Sequence, residues 1–327
     1  MEMKITHIKP IEIFEDEKGS VLSMAISPDG KYIFTGNYIN KICQWSTETG
    51  KLIRKLEGHT AWIYTLLVTQ DNMYLFSSSR DRTVKKWSIQ TGELIQDDVF
   101  ECVETQQPPI IFLHQHNEVI FSCDYTGMIK KLNISTTPGI ITSFALENYI
   151  WTSTAEVSVD SKYMLLANMC EIRKIDLDTN ENSRVFKCIK NFVHKMVLTP
   201  KYLFLASSNK KIDQYSLETE ELIHSYEGHD EPVINIVLSP DKKSMFSASW
   251  DSTIRKWSLE TKECLCIYGG KNSPKLDMLI SPDNKFLYHV FNNKVYKYLC
   301  ATPQEQRLAF LLGIEEREID ETGTYIN

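Results

Sequence analysis

The sequence lacks any apolar segment long enough to cross a membrane. In its 327 residues, no window approaches the roughly 20 apolar residues that a transmembrane helix needs. Residues 1–14, MEMKITHIKPIEIF, contain no basic stretch followed by a long apolar run, which is the pattern of a secretory signal. We therefore expect a cytoplasmic or otherwise intracellular protein with no membrane insertion.

The sequence also lacks the motifs of common enzyme and cofactor sites. It contains no P-loop, no nucleotide-binding glycine fingerprint, no GxSxG elbow and no HExxH pair. Its eight cysteines form no CxxC pair, so the usual ligand spacing of a zinc site is missing. These absences predict a protein that is not an enzyme and binds no cofactor and no metal.

The sequence also has no excess of positively charged residues. The 36 Lys and Arg residues are outnumbered by 43 Asp and Glu residues, which gives a net charge of -7. Surfaces that bind nucleic acids or anionic lipids need clustered Lys and Arg. We therefore expect no nucleic acid among the partners, and we expect other proteins instead.

The chain is rich in short strand-like runs that recur as a unit. Residues 58–95 contain IYTLLV, YLFSSS and TVKKWSI, which are rich in β-forming residues and are separated by turn residues. Residues 228–265 repeat this unit, and three residues keep the same offsets in both copies. These are His59, Asp81 and Trp87 in the first copy and His229, Asp251 and Trp257 in the second.

A bulky residue in the third run of each unit marks a longer repeat. The spacings between successive markers are 42, 45, 43, 40, 42 and 41 residues. The markers are Trp45, Trp87, Leu132, Ile175, Tyr215, Trp257 and Tyr298. A sustained period near 42 residues is hard to produce by chance and indicates an array of repeats.

From residue 8 to about residue 302, the chain resembles the WD-repeat β-propellers. The resemblance implies an all-β fold, a seven-bladed β-propeller of four-stranded antiparallel blades. We expect an N-terminal strand at about residues 8–14 to complete blade seven and close the ring. The predicted propeller domain is therefore residues 1–302.

The resemblance also implies a buried hydrogen-bond network of His, Ser, Asp and Trp in two units. The predicted members are His59, Ser77 or Ser79, Asp81 and Trp87, and then His229, Ser247 or Ser249, Asp251 and Trp257. The Asp position of the other units holds Ile39, Thr126, Met169, Asn209 and Asn292. We interpret the complete sets as structural and not as hydrolase triads, because they recur.

Residues 303–327 follow the predicted propeller. Thr302, Pro303 and Glu305 match the start pattern of a helix, and the apolar segment RLAFLLG follows them. We predict a short C-terminal helix and then a loose acidic tail, EEREIDETGTYIN. Whether this helix packs on the ring or binds a partner is left open.

Large aromatic residues recur at positions that the family places on one face of the ring. That face consists of the loops that enter the first strand and the turns between the second and third strands. The candidate partner-binding residues are Trp62, Trp151 and Phe192 at the entry position, and Tyr38, Arg80, Tyr125, Trp250 and Phe291 in the turns. Aromatic residues and Arg are enriched where proteins bind one another.

We therefore predict a monomeric ring that serves as a non-catalytic protein–protein interaction scaffold or adaptor in a multiprotein complex. One alternative is a propeller enzyme with a metal site in the central channel. Among the predicted inner strands IYTLLV, VINIVL, HKMVLT and LDMLIS, only Asp277 is an obvious acidic ligand. The other alternative is a substrate-recognition subunit of a ubiquitin ligase, which no F-box-like region supports.

Overall fold

The computed structural model of the protein consists of β-strands, and in the part of the chain that it describes only the single residue Glu305 has a helical backbone. The described residues are 7–8, 10, 12–15, 20–97, 99, 110–114, 119–123, 128–133, 141–145, 153–167, 171–179, 181–186, 191–268, 277–291, 294–302 and 305.

The strands follow one another with short connections. The first of them are β1 (His7–Ile8), β2 (Glu12–Glu15), β3 (Val21–Ile26), β4 (Tyr32–Asn37), β5 (Lys41–Ser46), β6 (Leu52–Glu57), β7 (Ile63–Val68), β8 (Tyr74–Ser79), β9 (Val84–Ser88), β10 (Leu94–Gln96), β11 (Ile110–His114), β12 (Val119–Cys123), β13 (Met128–Asn133) and β14 (Ile141–Ala145). The remainder are β15 (Thr154–Val157), β16 (Tyr163–Ala167), β17 (Ile172–Asp176), β18 (Asn182–Phe186), β19 (Val193–Leu198), β20 (Tyr202–Ser207), β21 (Ile212–Ser216), β22 (Leu222–Tyr226), β23 (Val233–Leu238), β24 (Ser244–Ser249), β25 (Ile254–Ser258), β26 (Cys264–Tyr268), β27 (Met278–Ile280), β28 (Phe286–Phe291) and β29 (Lys294–Leu299).

Consecutive strands pair into separate sheets. The strand orders are β3-β4-β5-β6, β10-β9-β8-β7, β11-β12-β13-β14, β15-β16-β17-β18, β19-β20-β21-β22, β1-β26-β25-β24-β23 and β2-β29-β28-β27. The first strands of neighbouring sheets contact one another in chain order, and β27 contacts β3. The sheets are therefore arranged radially around one axis, as the blades of a propeller.

The hydrophobic core lies between neighbouring blades. Phe34, Ile42 and Leu56 of the sheet β3–β6 pack in one cluster with Ile63, Leu75 and Trp87 of the sheet β7–β10. Side chains alternate between the two faces of a strand, so a blade with a neighbour on each side needs apolar residues on both faces. This explains why second strands such as YLFSSS and SMFSAS are buried at nearly every position.

The turns between first and second strands are set by short polar side chains. Ser27 Oγ donates to Asp29 Oδ1 over 2.6 Å, and Asp29 Oδ1 accepts the Lys31 amide over 3.1 Å. Gly30 lies in this turn with a φ of 72°, in the left-handed region. The turn at Ser239 and Asp241 repeats the hydrogen bonds.

The predicted fold class is wrong in two respects. The blades are not seven equivalent four-stranded sheets, and no C-terminal helical element is found among the described residues. Six blades contribute described side chains to the core, from the strands β3–β6, β7–β10, β15–β17, β19–β22, β23–β26 and β27–β29. For the sheet β11–β14 the structure describes the backbone pairing of the strands. Ile129 is the one side chain of this sheet that is described, and it is fully buried. One sheet has a fifth, parallel strand. The structure thus gives six blades in full, not seven equivalent four-stranded antiparallel ones.

The predicted C-terminal helix is not found as an element among the described residues, which beyond residue 301 are only Thr302 and Glu305, and only Glu305 has a helical backbone. These two residues hydrogen-bond reciprocally between side chain and backbone amide, as the capping pattern predicts. Leu308, Leu311 and the acidic tail lie outside the described residues.

The N-terminal strand that pairs with β29 spans residues 12–15, so it overlaps the predicted range of about 8–14 and is shorter. Strand β2 pairs antiparallel with β29, and its register places Glu12 opposite Lys297 and Glu15 opposite Lys294. Residues 7–8 pair instead with the neighbouring sheet, parallel to β26. Pro10 lies between the two strands, and proline cannot donate a ladder hydrogen bond. This explains why the segment divides between two sheets.

Candidate functional site

A buried hydrogen-bond network ties the entry loop of the sheet β7–β10 to the turn between its second and third strands. Trp87 Nε1 donates to Ser77 Oγ over 2.8 Å, and Ser77 Oγ lies 2.7 Å from His59 Nε2. His59 Nδ1 lies 2.7 Å from Asp81 Oδ2. Every group is satisfied if Ser77 donates to Nε2 and the Nδ1 proton is donated to Asp81, a tautomer that follows from these partners.

Asp81 is the ionised end of this network. Its Oδ2 accepts the Thr60 amide, and its Oδ1 accepts the Thr83 amide and hydroxyl. Burial alone would raise the pKa of Asp81, but the hydrogen bonds from His59, Thr83 and Thr60 outweigh burial and hold it well below its ordinary value. The carboxylate therefore fixes both the entry loop and the turn.

The sheet β23–β26 contains a second copy of the network. His229 lies 2.7 Å from both Asp251 Oδ2 and Ser247 Oγ, and Trp257 Nε1 donates to Ser247 over 2.8 Å. Burial lowers the pKa of His229, which favours the neutral imidazole that the network requires. In both copies the network uses the first of the two candidate serines.

Ser79 and Ser249 have a different role. Ser79 Oγ donates to the Ala61 carbonyl and accepts the Asp81 amide, and Ser249 does the same with Glu231 and Asp251. They tie the entry loop to the turn through the backbone. Ser77 and Ser247 are fully buried and already accept an indole N–H, so neither hydroxyl is placed to attack a substrate.

The pairing of first and second strands puts each entry loop beside a turn. Ile63 pairs with Ser79 and Val233 pairs with Ser249, so the start of a first strand and the end of a second strand share one edge of the blade. The Arg80 amide donates to the Trp62 carbonyl over 2.9 Å. The candidate partner-binding residues in the described part of the chain therefore lie on one face, the entry face.

Three side chains form the first aromatic cluster, defined as Tyr38, Trp62 and Arg80. The Tyr38 and Trp62 rings meet edge to face with centroids 4.6 Å apart, and the Arg80 guanidinium carbon lies 4.6 Å from the Trp62 ring centroid. Such stacking reduces the rotamer freedom of Arg80 and Trp62. Tyr38 is 38% exposed and Trp62 is half-buried, so the cluster presents a fixed aromatic and cationic surface.

The second aromatic cluster is defined as Phe192, His194 and Trp250. The Phe192 and His194 rings lie 4.7 Å apart, and the His194 and Trp250 rings lie 5.7 Å apart. Trp250 is 55% exposed, a large fraction for an indole. His194 was not among the predicted site residues, although it stands two residues after Phe192, and a β-bulge between Val193 and Lys195 interrupts the alternation from which its side could have been predicted.

The remaining candidates are placed differently. Phe291 ends β28 and is half-buried, with its ring 6.4 Å from that of Tyr296. It therefore belongs to a strand rather than to a turn. Trp151 and Tyr125 lie outside the described residues, so their predicted role stays a prediction.

Two carboxyl groups and one amine lie near the ring axis. Glu156 of β15 is 4.0 Å from Lys195 of β19, and Asp277, next to β27, accepts the Met24 amide over 2.6 Å. Burial raises the pKa of Asp277 to about 6, and burial also raises that of Glu156 while Lys195 opposes the rise. The sequence analysis missed Glu156 because its strand was not among those compared.

Within the described ranges, no group of three or more His, Cys, Asp or Glu side chains is arranged to hold a metal ion. A search of the same residues finds no helix that is long and apolar enough to span a membrane.

A family model described as "WD domain, G-beta repeat" matches residues 8–46, 50–88 and 220–258. The second and third matches contain the two buried networks, and the first contains Trp45, whose indole donates to Thr35 Oγ1 over 3.0 Å. The chain contains WD repeats, and its fold is a β-propeller. WD-repeat proteins typically bind other proteins and are typically not enzymes. The matched segments 50–88 and 220–258 are the two repeats whose entry loops and turns are described above.

Proposed function

We propose that this WD-repeat protein is a non-catalytic scaffold that binds partner proteins through the entry face, with the two aromatic clusters as the principal contacts. The observation that supports this most is the exposure of Trp250, at 55%, on a turn that the buried network holds in place. An indole contributes a large contact area with only two side-chain torsions.

The support for the entry face comes from preorganisation. Asp81 and Asp251 each fix a turn and an entry loop through several hydrogen bonds. A surface held in its bound shape loses less conformational entropy on association. A partner that binds the clusters would therefore lose little conformational entropy in ordering them.

The test is affinity purification of the tagged protein from cells, with quantitative mass spectrometry of the captured proteins. In the double variant Trp62→Ala, Trp250→Ala, we expect the specific partners to fall at least tenfold, which corresponds to about 1.4 kcal/mol or more. Trp250 is exposed but Trp62 is half-buried, so we expect the free energy of unfolding to fall by about 1–2 kcal/mol while the protein stays folded.

A matched control comes from the outer strand β22. Leu222 and Ile223 are 52% and 49% exposed, so the variant Leu222→Ala, Ile223→Ala removes comparable exposed apolar side chains away from the entry face. We expect it to keep the wild-type set of partners. Loss of the same partners in both variants, or in neither, would contradict the proposal.

A further inference from the structure

A cavity of about 600 Å³ lies between the sheets β19–β22 and β23–β26. Its lining includes the turns that join the first strand to the second strand in these sheets, at 199–202 and 242–244, and the turn between β25 and β26. Leu198 and Leu203 pair beside the first of these turns, at the ends of β19 and β20 that are opposite the entry loops. The cavity therefore lies on the other face of the ring from the two aromatic clusters.

The turn between β19 and β20 is shorter than its counterpart between β3 and β4. Its closing hydrogen bond joins the Thr199 amide to the Tyr202 carbonyl, whereas the bond in the counterpart joins the Ser27 amide to the Tyr32 carbonyl. The two turns read TPKY and SPDGKY, so the aspartate and the glycine are missing from the first. Less chain therefore covers the junction at the cavity.

The side chains that bridge another junction are replaced at the cavity. Between the sheets β3–β6 and β7–β10, the Asp29 amide donates to Asn72 Oδ1 over 3.1 Å. At the cavity, the shortened turn has no residue in the place of Asp29, and Lys242 has the repeat position of Asn72. This junction therefore cannot form the same bond, and it presents an ammonium group where the other presents an amide.

The shortened turn has also lost a counter-ion. In the longer turn, Lys31 Nζ lies 3.4 Å from Asp29 Oδ2. Lys201 has the position of Lys31 directly before the tyrosine, but the aspartate is absent from its turn. A carboxylate from another molecule can take the place of that aspartate beside Lys201, because opposite charges attract across a short distance.

A second lysine of the cavity has neutral partners. Lys262 Nζ donates to Gln214 Oε1 over 3.1 Å and to the Tyr226 hydroxyl over 3.3 Å. In the sheets β3–β6 and β7–β10 the repeat position of Lys262 is Gly92, and the Arg54 side chain packs against it. Lys262 thus places a positive charge in the cavity at a point that a side chain fills in the other junction.

The lining as a whole combines apolar side chains with an excess of positive charge. Four lysines and two glutamates line the cavity, in a chain whose net charge is -7. One of the glutamates, Glu305, is paired with Lys256 Nζ over 3.1 Å, and the other, Glu260, is exposed. The lysines are Lys201, Lys242, Lys243 and Lys262, and the apolar residues include Phe204, Leu238, Leu259 and Leu265. Such a lining favours a ligand with an apolar part, which leaves water, and with negative charges, which the lysines attract.

We propose that this cavity binds a segment of a partner protein in which a large apolar side chain stands next to several acidic residues. The apolar side chain packs against Leu238, Leu259 and Leu265, and the carboxylates pair with the lysines. Because the lysines come from turns of both blades, a segment with several separate carboxylates fits them better than one small anion. This second site is on the opposite face from the proposed partner-binding clusters, so each proposal can fail without the other.

Selection of a random-peptide library, displayed on phage, against the purified full chain tests the proposal. We expect one enriched class of peptides to combine an aromatic residue or Leu with several Asp or Glu residues. A fluorescein-labelled copy of such a peptide should bind the variant Lys201→Glu, Lys243→Glu about tenfold or more weakly than the wild type in fluorescence anisotropy, because each reversal replaces an attraction with a repulsion. The absence of this class, or equal binding to both proteins, would overturn the proposal.

A matched control changes the same kind of turn at another junction on the same face. Lys31 and Lys285 are exposed and have the repeat positions of Lys201 and Lys243, in turns of two adjacent blades. The variant Lys31→Glu, Lys285→Glu should bind the acidic peptide as the wild type does. Equal weakening in both double variants would show a general effect of charge and would contradict a site at the cavity.

A charge-reversed peptide tests the pairing and shows that the variant is folded. When each acidic residue of the peptide is replaced by Lys, it should bind the variant Lys201→Glu, Lys243→Glu more tightly than the control variant, which has the same net charge. Equal affinity for the two variants would contradict the pairing of the peptide with these lysines.

Methyl NMR with labelled leucine locates the bound peptide. The methyl resonances of Leu238, Leu259 and Leu265 should shift when the acidic peptide is added. The variant Trp62→Ala, Trp250→Ala should bind this peptide with the wild-type affinity, even though we expect it to lose the partners of the entry face. Unchanged leucine resonances, or loss of peptide binding in the entry-face variant, would overturn the proposal.

Lipid vesicles test a different kind of anionic ligand. We expect no binding to vesicles of phosphatidylcholine and phosphatidylserine that depends on Lys201 and Lys243. Vesicle binding that is lost in the variant Lys201→Glu, Lys243→Glu, without an enriched class of acidic peptides, would show that the lysines contact a membrane surface and would overturn the proposal.

Discussion

At the scale of single residues, the Asp81 and Asp251 carboxylates each take part in four hydrogen bonds at the entry face. Asp81 accepts from His59, Thr60 and Thr83. Replacing it with Ala leaves the His59 Nδ1 proton and two backbone amides without an acceptor. Asp81→Ala, and likewise Asp251→Ala, should reduce the free energy of unfolding by about 1–3 kcal/mol.

Urea denaturation measures this change. Asp178→Ala is the control, because Asp178 is an exposed turn residue outside the networks; it should change stability by less than about 0.5 kcal/mol. An equal effect of the network and control substitutions would show that the network contributes nothing to the fold.

Replacement of Asp277 is expected to raise the free energy of unfolding, whereas replacement of Asp81 is expected to lower it. Its pKa rises from 3.8 to about 6 in the fold because burial disfavours the carboxylate. Between these two values the folded protein binds more protons than the unfolded chain, so this group's contribution lowers stability as pH rises. Asp277→Asn removes that loss. The variant should gain about 1–3 kcal/mol relative to wild type between about pH 4 and about pH 7.

Denaturation curves of both proteins at several pH values measure this difference. Asp81, whose pKa is held below its ordinary value, behaves in the reverse way, since its stabilisation is present above pH 3.8 and is lost as pH falls through its lower folded value. A stability difference between Asp277→Asn and wild type that is independent of pH would contradict the raised pKa.

Much of the residue-scale picture could be predicted because the repeat fixes offsets. His59, Asp81 and Trp87 were identified from their spacing and lie in one hydrogen-bonded set. The choice between Ser77 and Ser79 could not be made. Both residues are on β8 two positions apart, so strand alternation gives them the same face, and only their distances from His59 and Ala61 distinguish them.

At the scale of elements, strand β2 covers the outer edge of β29. Four residue pairs join them, and an uncovered edge exposes unpaired backbone groups. Deletion of residues 1–15 should lower the free energy of unfolding by about 2–4 kcal/mol, at roughly 0.5–1.5 kcal/mol for each backbone hydrogen bond lost. It should also increase self-association, measured by light scattering.

Deletion of residues 1–6 provides the control, because it leaves β1 and β2 intact. It should keep the stability and monodispersity of the full chain. If both deletions behave alike, the pairing of β2 with β29 makes no contribution to stability.

The repeat pattern predicts the third strands of the blades but not the strands of the N-terminal segment. Each repeat marker lies in a third strand at a similar register to its partner, as in Trp45 with Ile33 and Trp257 with Met245. The N-terminal segment has no second copy to compare with. Its division around Pro10 into β1 and β2 depends on which sheet edges are nearby, and spacing along the chain carries no such information.

At the scale of the whole molecule, the ring separates two faces with different chemistry. The entry face presents the aromatic clusters, and the other face presents an apolar cavity rimmed by Lys201, Lys242 and Lys243. The family resemblance implied which residues share the entry face, and their role in binding stays a prediction. The cavity could not be predicted, because its walls come from several turns of two blades and its opening from a shortened turn.

The entry face can be tested directly by placing a photo-crosslinking residue, p-benzoylphenylalanine, at position 250 and, in a separate variant, at position 222 of the full chain in cells. Trp250 and Leu222 are similarly exposed, at 55% and 52%, but only the first is on the entry face. Position 250 should give discrete cross-linked partner bands, and position 222 should give none of them. The same bands from both positions, or bands from position 222 alone, would contradict the account of this protein as a scaffold that binds through its entry face.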